Sequence, residues 1–123
     1  MAPDPSSTDE TELLIAYLGS QRRHVLGILE GLSDDDMRRP VLPSGWSPLT
    51  MLSHLTYDDE RFWFGAVIAG DADVVATVLE SDGWSVGDEV APAEVVAAYR
   101  EQARRSDEIL RAADLDAAPS WWP

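Results

Sequence analysis

Three stretches of this chain repeat their apolar residues at the 3.6-residue spacing of an α-helix, and that pattern predicts an all-α fold. The first stretch, from Asp9 to about Gly31, carries Leu14, Tyr17, Leu18, Val25, Ile28, Leu29 and, just beyond it, Leu32 on one face. Ser7 to Glu10 offers an N-cap and a capping-box pattern ahead of it, so residues 1–8 are expected to be a flexible tail. A Pro/Gly-rich connector through Trp46 follows, and Ser47-Pro48 supplies a cap and an N1 proline for the second helix. That helix is predicted from about Pro48 to Ala69 and stops at Gly70. A long connection, Gly70 to Ala91, with one irregular turn near Val74 to Leu79, leads to a third helix opened by Pro92. The third stripe is Val95, Tyr99, Ile109, Leu110 and Ala113.

At 123 residues the chain is long enough for one domain and one core, and too short for two ordinary domains. Cysteine is absent, which removes disulfides, thiolate zinc sites and cysteine nucleophiles; any metal must be held by His, Asp, Glu or water. The formal charge of -14, with all nine basic residues arginine, repels a phosphate backbone and argues against a nucleic-acid partner. The N-terminus has no basic and apolar leader pattern and no window is long and apolar enough to span a membrane, so a cytoplasmic protein is expected. Two tryptophans before a terminal proline would lie exposed; they predict a truncated chain or an end covered by a partner, such as a second copy.

Polar residues interrupt the predicted core faces. At about 100° per residue, Met51, Leu55, Phe62, Ala66 and Ala69 share one arc of helix two, with Asp58 at its edge and His54 a little farther round. The same projection puts Gln21 in the apolar face of helix one, and Gln102 and Ser106 in that of helix three, all near mid-helix. These groups either converge on an interior cavity that takes a ligand, or hydrogen-bond one another and buried water. His54 and Asp58, four apart, read either as a metal ligand with a carboxylate that coordinates or orients it, or as a plain hydrogen-bonded pair. His24 reads as an ordinary boundary histidine. Trp46 and Trp84 sit in connectors, where they are expected to pack or to wall a pocket mouth.

Residues 14–33, the run Pro43 to Leu49, His54-Leu55 with Glu60 to Phe64, and then Ala93 to Glu101, Ser106-Asp107 and Asp114 to Asp116 together resemble the actinobacterial branch of the DinB-like superfamily. The resemblance covers nearly the whole chain. It implies a four-helix bundle, of which this chain supplies three long helices and lacks the fourth. It also implies a three-histidine site for a divalent metal such as Zn or Ni, one histidine from helix two and a His-x-x-x-His pair from helix four. His54 matches the helix-two ligand, with Asp58 beside it, and the site is expected to be incomplete in this chain. Relatives of this kind include mycothiol-dependent isomerases and thiol S-transferases, so the resemblance implies a thiol cofactor or substrate; Gln21, Gln102 and Ser106, placed by the helical projection, are the candidate contacts for it. The alternative, from a different class, is a non-catalytic bundle that binds a small apolar ligand or dimerises, with Trp121 and Trp122 as interface anchors.

Overall fold

The computed structural model describes residues 5–41 and 43–123, with the backbone alone for 5–9. Among the described residues there is helix and no strand. The first helix, α1, spans Pro5–Leu29 and begins earlier than the capping pattern predicts. A proline is well suited to a first helical position because its missing N–H has no partner there anyway. Residues 5–8 of the expected tail are therefore helical, and residues 1–4 lie outside the described residues. A one-turn helix, α2 (Asp34–Arg38), is capped by Ser33, whose hydroxyl accepts from Asp36 N at 3.1 Å.

The second long element starts where Ser47-Pro48 predicts. Ser47 Oγ accepts from Thr50 N at 3.1 Å while Thr50 Oγ1 accepts from Ser47 N at 3.0 Å, a reciprocal box that satisfies two otherwise orphaned donors. From there α3 (Pro48–His54) passes without a break into a π-helix over Leu55–Ile68. Gly70, at φ +62°, ends it, as a residue free of the Cβ clash can. In the connection, α4 (Ala72–Thr77) is capped by Asp71 and runs into a single 3₁₀ turn, Val78–Glu80. The last helix, α5, spans Pro92–Ala112 with Pro92 at its first turn.

The core gathers Met37, Leu49, Leu52, Val95 and Tyr99, with Val25, Leu26 and Leu29 of α1 and Val86 and Val90 of the connection packed on it. Helix α5 buries Val95, Tyr99, Ser106 and Leu110, close to the predicted stripe. Helix α1 does not present the predicted face. Tyr17 and Ile28 are 66% and 64% exposed, whereas Ile15 and Arg22 are buried, flanked by half-buried Leu18, Val25, Leu26 and Leu29. Its first half has apolar residues on two sides, so periodicity alone cannot choose between them. The choice is made by Arg22, which has partners on two other helices.

The π-helix changes the second element in a similar way. Its wider turn, closed by i→i+5 bonds such as Ala69 N to Phe64 O at 3.0 Å, departs from the 100° step of an α-helix. Interior positions then recur every four to five residues: Leu52, Thr56, Glu60 and Gly65 are buried, while Met51 and Ala69, predicted to face inward, are exposed. Thr56 satisfies its buried hydroxyl by donating to Leu52 O at 2.9 Å.

Candidate functional site

At the junction of α3 and the π-helix, His54 Nδ1 lies 2.9 Å from Asp58 Oδ2. Both Asp58 oxygens also accept from Gly83 N, at 3.1 and 2.9 Å, so the carboxylate is an acceptor throughout and Nδ1 is the donor in the pair. In the neutral ring this pairing leaves Nε2 as the acceptor nitrogen. The His54 side chain is 31% exposed and within reach of a ligand. Gly83 is indispensable to this arrangement. A Cβ there would fall 2.7 Å from Asp58 Oδ2 and 2.7 Å from His54 Cα, closer than carbon tolerates.

The residue after that glycine completes the setting. Trp84 stacks on the His54 ring with centroids 4.0 Å apart, and Trp46 stacks on the other side of Trp84 at 4.0 Å. Of the two expectations for the connector tryptophans, packing is the one seen here, as a three-ring pile ending on the imidazole. A cleft of about 240 Å³ lies alongside, lined by Ser53 and Tyr57 of the same helix, by Ser85, Val86, Gly87 and Val90 of the connection, and by Glu94 and Val95 of α5. A larger cavity, about 550 Å³, is at the opposite end of the π-helix between Val67 to Ala69 and the end of α5, and it includes no residue of this pair.

The interior polar residues do not converge as the α-helical projection has them. Gln102 Nε2 donates to Ser106 Oγ at 3.2 Å, and Ser106 is wholly buried, so these two bond each other. Gln21 is exposed, because the buried strip of α1 passes through Arg22 instead. His24 is exposed as well.

Where those groups were expected, a charged network joins the three long helices. Arg22 Nε donates to Glu60 Oε1 at 2.7 Å and Arg22 Nη1 to Asp107 Oδ1 at 2.7 Å. Glu60 Oε2 and Arg22 Nη2 are buried without a hydrogen-bond partner, although Nη2 lies 2.6 Å from Glu60 Oε1. One guanidinium serves two carboxylates, so the cation is favoured and one carboxyl is left in excess. Burial works against the Arg22 charge, but the Asp107 hydrogen bond and Glu60 outweigh it and hold its pKa above the usual arginine value. Burial pushes the Glu60 carboxyl up, and Arg22 offsets only part of that. The Tyr99 phenol beside them is pushed up to about 12, by burial first and by the Glu60 charge second. Sequence reasoning missed this triad because none of the three is apolar. The available signal was spacing: Arg22 lies seven residues after Ile15, two helical turns, on the strip that is buried.

The donor set can be tested against the divalent metal that the DinB-like resemblance implies. Among the described residues no three His, Cys, Asp or Glu side chains converge. Among the described residues the carboxylate hydrogen-bonded to His54 is Asp58, whose oxygens already serve Gly83 and Nδ1. These residues do not fit a three-ligand site.

Fold and site together define a helical domain with an oriented, ligand-accessible histidine at one helix junction. The mycothiol-S-transferase family model matches residues 13–123, so the chain belongs to that family. No curated protein and no solved structure matches it significantly. No helix among the described residues is long and apolar enough to cross a membrane.

Proposed function

We propose that this chain is a thiol S-transferase, with mycothiol as the thiol and the His54–Asp58 pair as its proton-handling group. The observation that supports it is the pair itself: a histidine whose Nδ1 proton is engaged by a carboxylate has an Nε2 lone pair ready to take a proton. The thiol S–H proton passes to Nε2. The sulfur then uses the freed electron pair to form a C–S bond to an electrophilic carbon. The bond from that carbon to its leaving group breaks, and the leaving group departs with the electron pair; Nε2 passes the thiol proton to a basic leaving group or, where a halide leaves, to water. No oxidant or reductant is needed. In this reading Gln102 and Ser106 serve the bundle interior rather than the thiol, and Gln21 serves neither.

His54 would also offer one metal ligand through Nε2, with Asp58 as the orienting carboxylate behind it. That role needs two further donors. The test is therefore run with and without a chelator, following conjugation of mycothiol to a fluorogenic alkyl bromide. The expected result is turnover that survives chelation and falls by about 10²–10⁴-fold in His54→Ala and Asp58→Asn, the range for a positioned acid–base group. Turnover unaffected by either substitution would overturn the reading. Turnover abolished by chelation and restored by Zn²⁺ would transfer His54 from base to ligand.

A second reading, a bundle that pairs with another copy, is favoured by one observation: Leu14, Tyr17 and, beyond the polar Gln21 and His24, Ile28 are exposed along one strip of α1. Sedimentation equilibrium of wild type and Tyr17→Glu separates the two, since only a dimer through this strip dissociates on the substitution.

A further inference from the structure

We infer that the cleft beside the histidine selects electrophiles that carry a positive charge, and that Glu94 is the residue that selects them. This rests on the S-transferase reading and assigns the class of its second substrate.

The cleft and the His54–Asp58 pair are neighbours by position in the chain. Ser53 and Tyr57, which line the cleft, directly precede His54 and Asp58, so the two features occupy adjacent strips of one helical surface. The connection from Gly83 to Gly87 lies against both: Gly83 donates to Asp58, and Ser85, Val86 and Gly87 line the cleft. The cleft shares its helix and its connection with the pair, although neither His54 nor Asp58 lines it, and it is the seat we assign to the side arm of a molecule whose reactive carbon meets Nε2.

The lining states what kind of arm fits. Val90 and Val95 give an apolar floor, Ser53 and Ser85 give hydroxyls, and Tyr57 gives an aromatic face; Glu94 is the one charged residue in the set. A cation between a carboxylate and a phenol ring gains from both, by ion pairing and by attraction to the ring's negative face. An anionic arm meets Glu94 at close range, within the field of a chain of net charge -14. At about 240 Å³ the cleft is smaller than the ~300–1,000 Å³ of a complete small-molecule site. It suits a short alkylammonium arm rather than a whole substrate.

Glu94 has a second duty that a test must separate. It sits in the first turn of α5, whose N-cap residue Ala91 makes no side-chain cap, and a carboxylate there steadies the helix start. The experiment compares three alkyl bromides of one length ending in ammonium, hydroxyl or carboxylate, with mycothiol as donor. Values of kcat/KM are measured for wild type, Glu94→Gln and Glu94→Asp, and the binding of propylammonium alone is followed by NMR. The expected result is a ten- to hundredfold preference for the ammonium compound over the hydroxyl one. It should collapse to about threefold or less in Glu94→Gln, return largely in Glu94→Asp, and shrink with added salt. Propylammonium should shift Val90 and Val95 signals in wild type and not in Glu94→Gln.

A wild-type enzyme that turns over all three compounds alike would overturn the inference and leave the S-transferase reading standing. An equal loss on all three in Glu94→Gln would also overturn it, assigning Glu94 to the helix start alone. Saturable, Glu94-dependent binding of propylammonium without turnover of any bromide would support the cleft and sink the S-transferase reading.

Discussion

The His54–Asp58 pair and the Arg22–Glu60–Asp107 network use the same chemistry, a nitrogen donor on a carboxylate, in opposite surroundings. The pair is local, four residues apart, with side chains 31% and 19% exposed, and is closed by a tryptophan stack and one backbone N–H. The network spans 38 and 85 residues of chain, buries Arg22 and Glu60 while the Asp107 side chain stays 26% exposed, and leaves a Glu60 oxygen unpartnered. A histidine that reaches solvent can meet a ligand without unpacking the core. Arg22 and Glu60 cannot be parted so easily, because each uncompensated charge at a buried position costs several kcal/mol. The first arrangement leaves a side chain within reach of a ligand, and the second ties three helices together.

The sharpest way to break that contrast is to remove the shared cation. Arg22→Ala strands Glu60 and Asp107 together, and we expect a loss of about 3–5 kcal/mol in denaturant unfolding, the range for breaking a buried pair by deleting one partner. Replacing Arg22, Glu60 and Asp107 together with Met, Leu and Leu is expected to restore stability to within about 1–2 kcal/mol of wild type or above it. If the single substitution cost less than about 1 kcal/mol, the network would not be the clamp described here. Next in size is Gly83→Ala. Its Cβ must displace Asp58 or the His54 backbone, at about 1–3 kcal/mol for overpacking. The signature is local: the histidine Nδ1 proton resonance should shift or vanish while the Arg22 side-chain signals stay in place.

The two regions also differ in how far they can be read from the sequence. His54 and Asp58 are legible because i,i+4 residues meet on a helix whatever the rest of the fold does. The same is true of the Ser47-Pro48 start, the Gly70 stop and the α5 stripe, where apolar residues occupy one side only. The tryptophan pile is half legible: two aromatic residues in connectors suggest a wall, but nothing local places Trp84 on His54. Arg22 and Glu60 are illegible because burial of a charge depends on partners distant in the chain. The wide turn of Leu55–Ile68 compounds this, since a 100° projection turns Met51 and Ala69 inward and gives no reason to bury Thr56 and Glu60. Periodicity carried the all-α class; the family resemblance added the thiol expectation and singled out His54, while Arg22, Glu60 and Asp107 stood within the resembling runs without a role.

The smallest effect is the one that separates the regions by proton uptake. Burial raises the Glu60 pKa above its ordinary 4.5, so between that value and the folded-state value the native protein binds more protons than the unfolded chain. Glu60 therefore stabilises the fold most below its unfolded pKa, and that contribution is lost as pH rises through the folded one. Its share of the slope cannot exceed about 1.4 kcal/mol per pH unit, one proton's worth. The exposed Glu101, held down at about 2 by hydrogen bonds from Arg104 and Arg105, has the opposite sign: its contribution is present above the usual carboxylate range and is lost as pH falls toward 2. Unfolding free energies measured from pH 4 to 8 for wild type and Glu60→Gln should diverge with rising pH, the variant losing the downward slope. Glu101→Gln should run parallel to wild type and below it over that region, and converge on it only at the acid end. Parallel curves for Glu60→Gln across the whole range would mean that Arg22 compensates Glu60 fully, and that the unpartnered oxygen carries no charge cost.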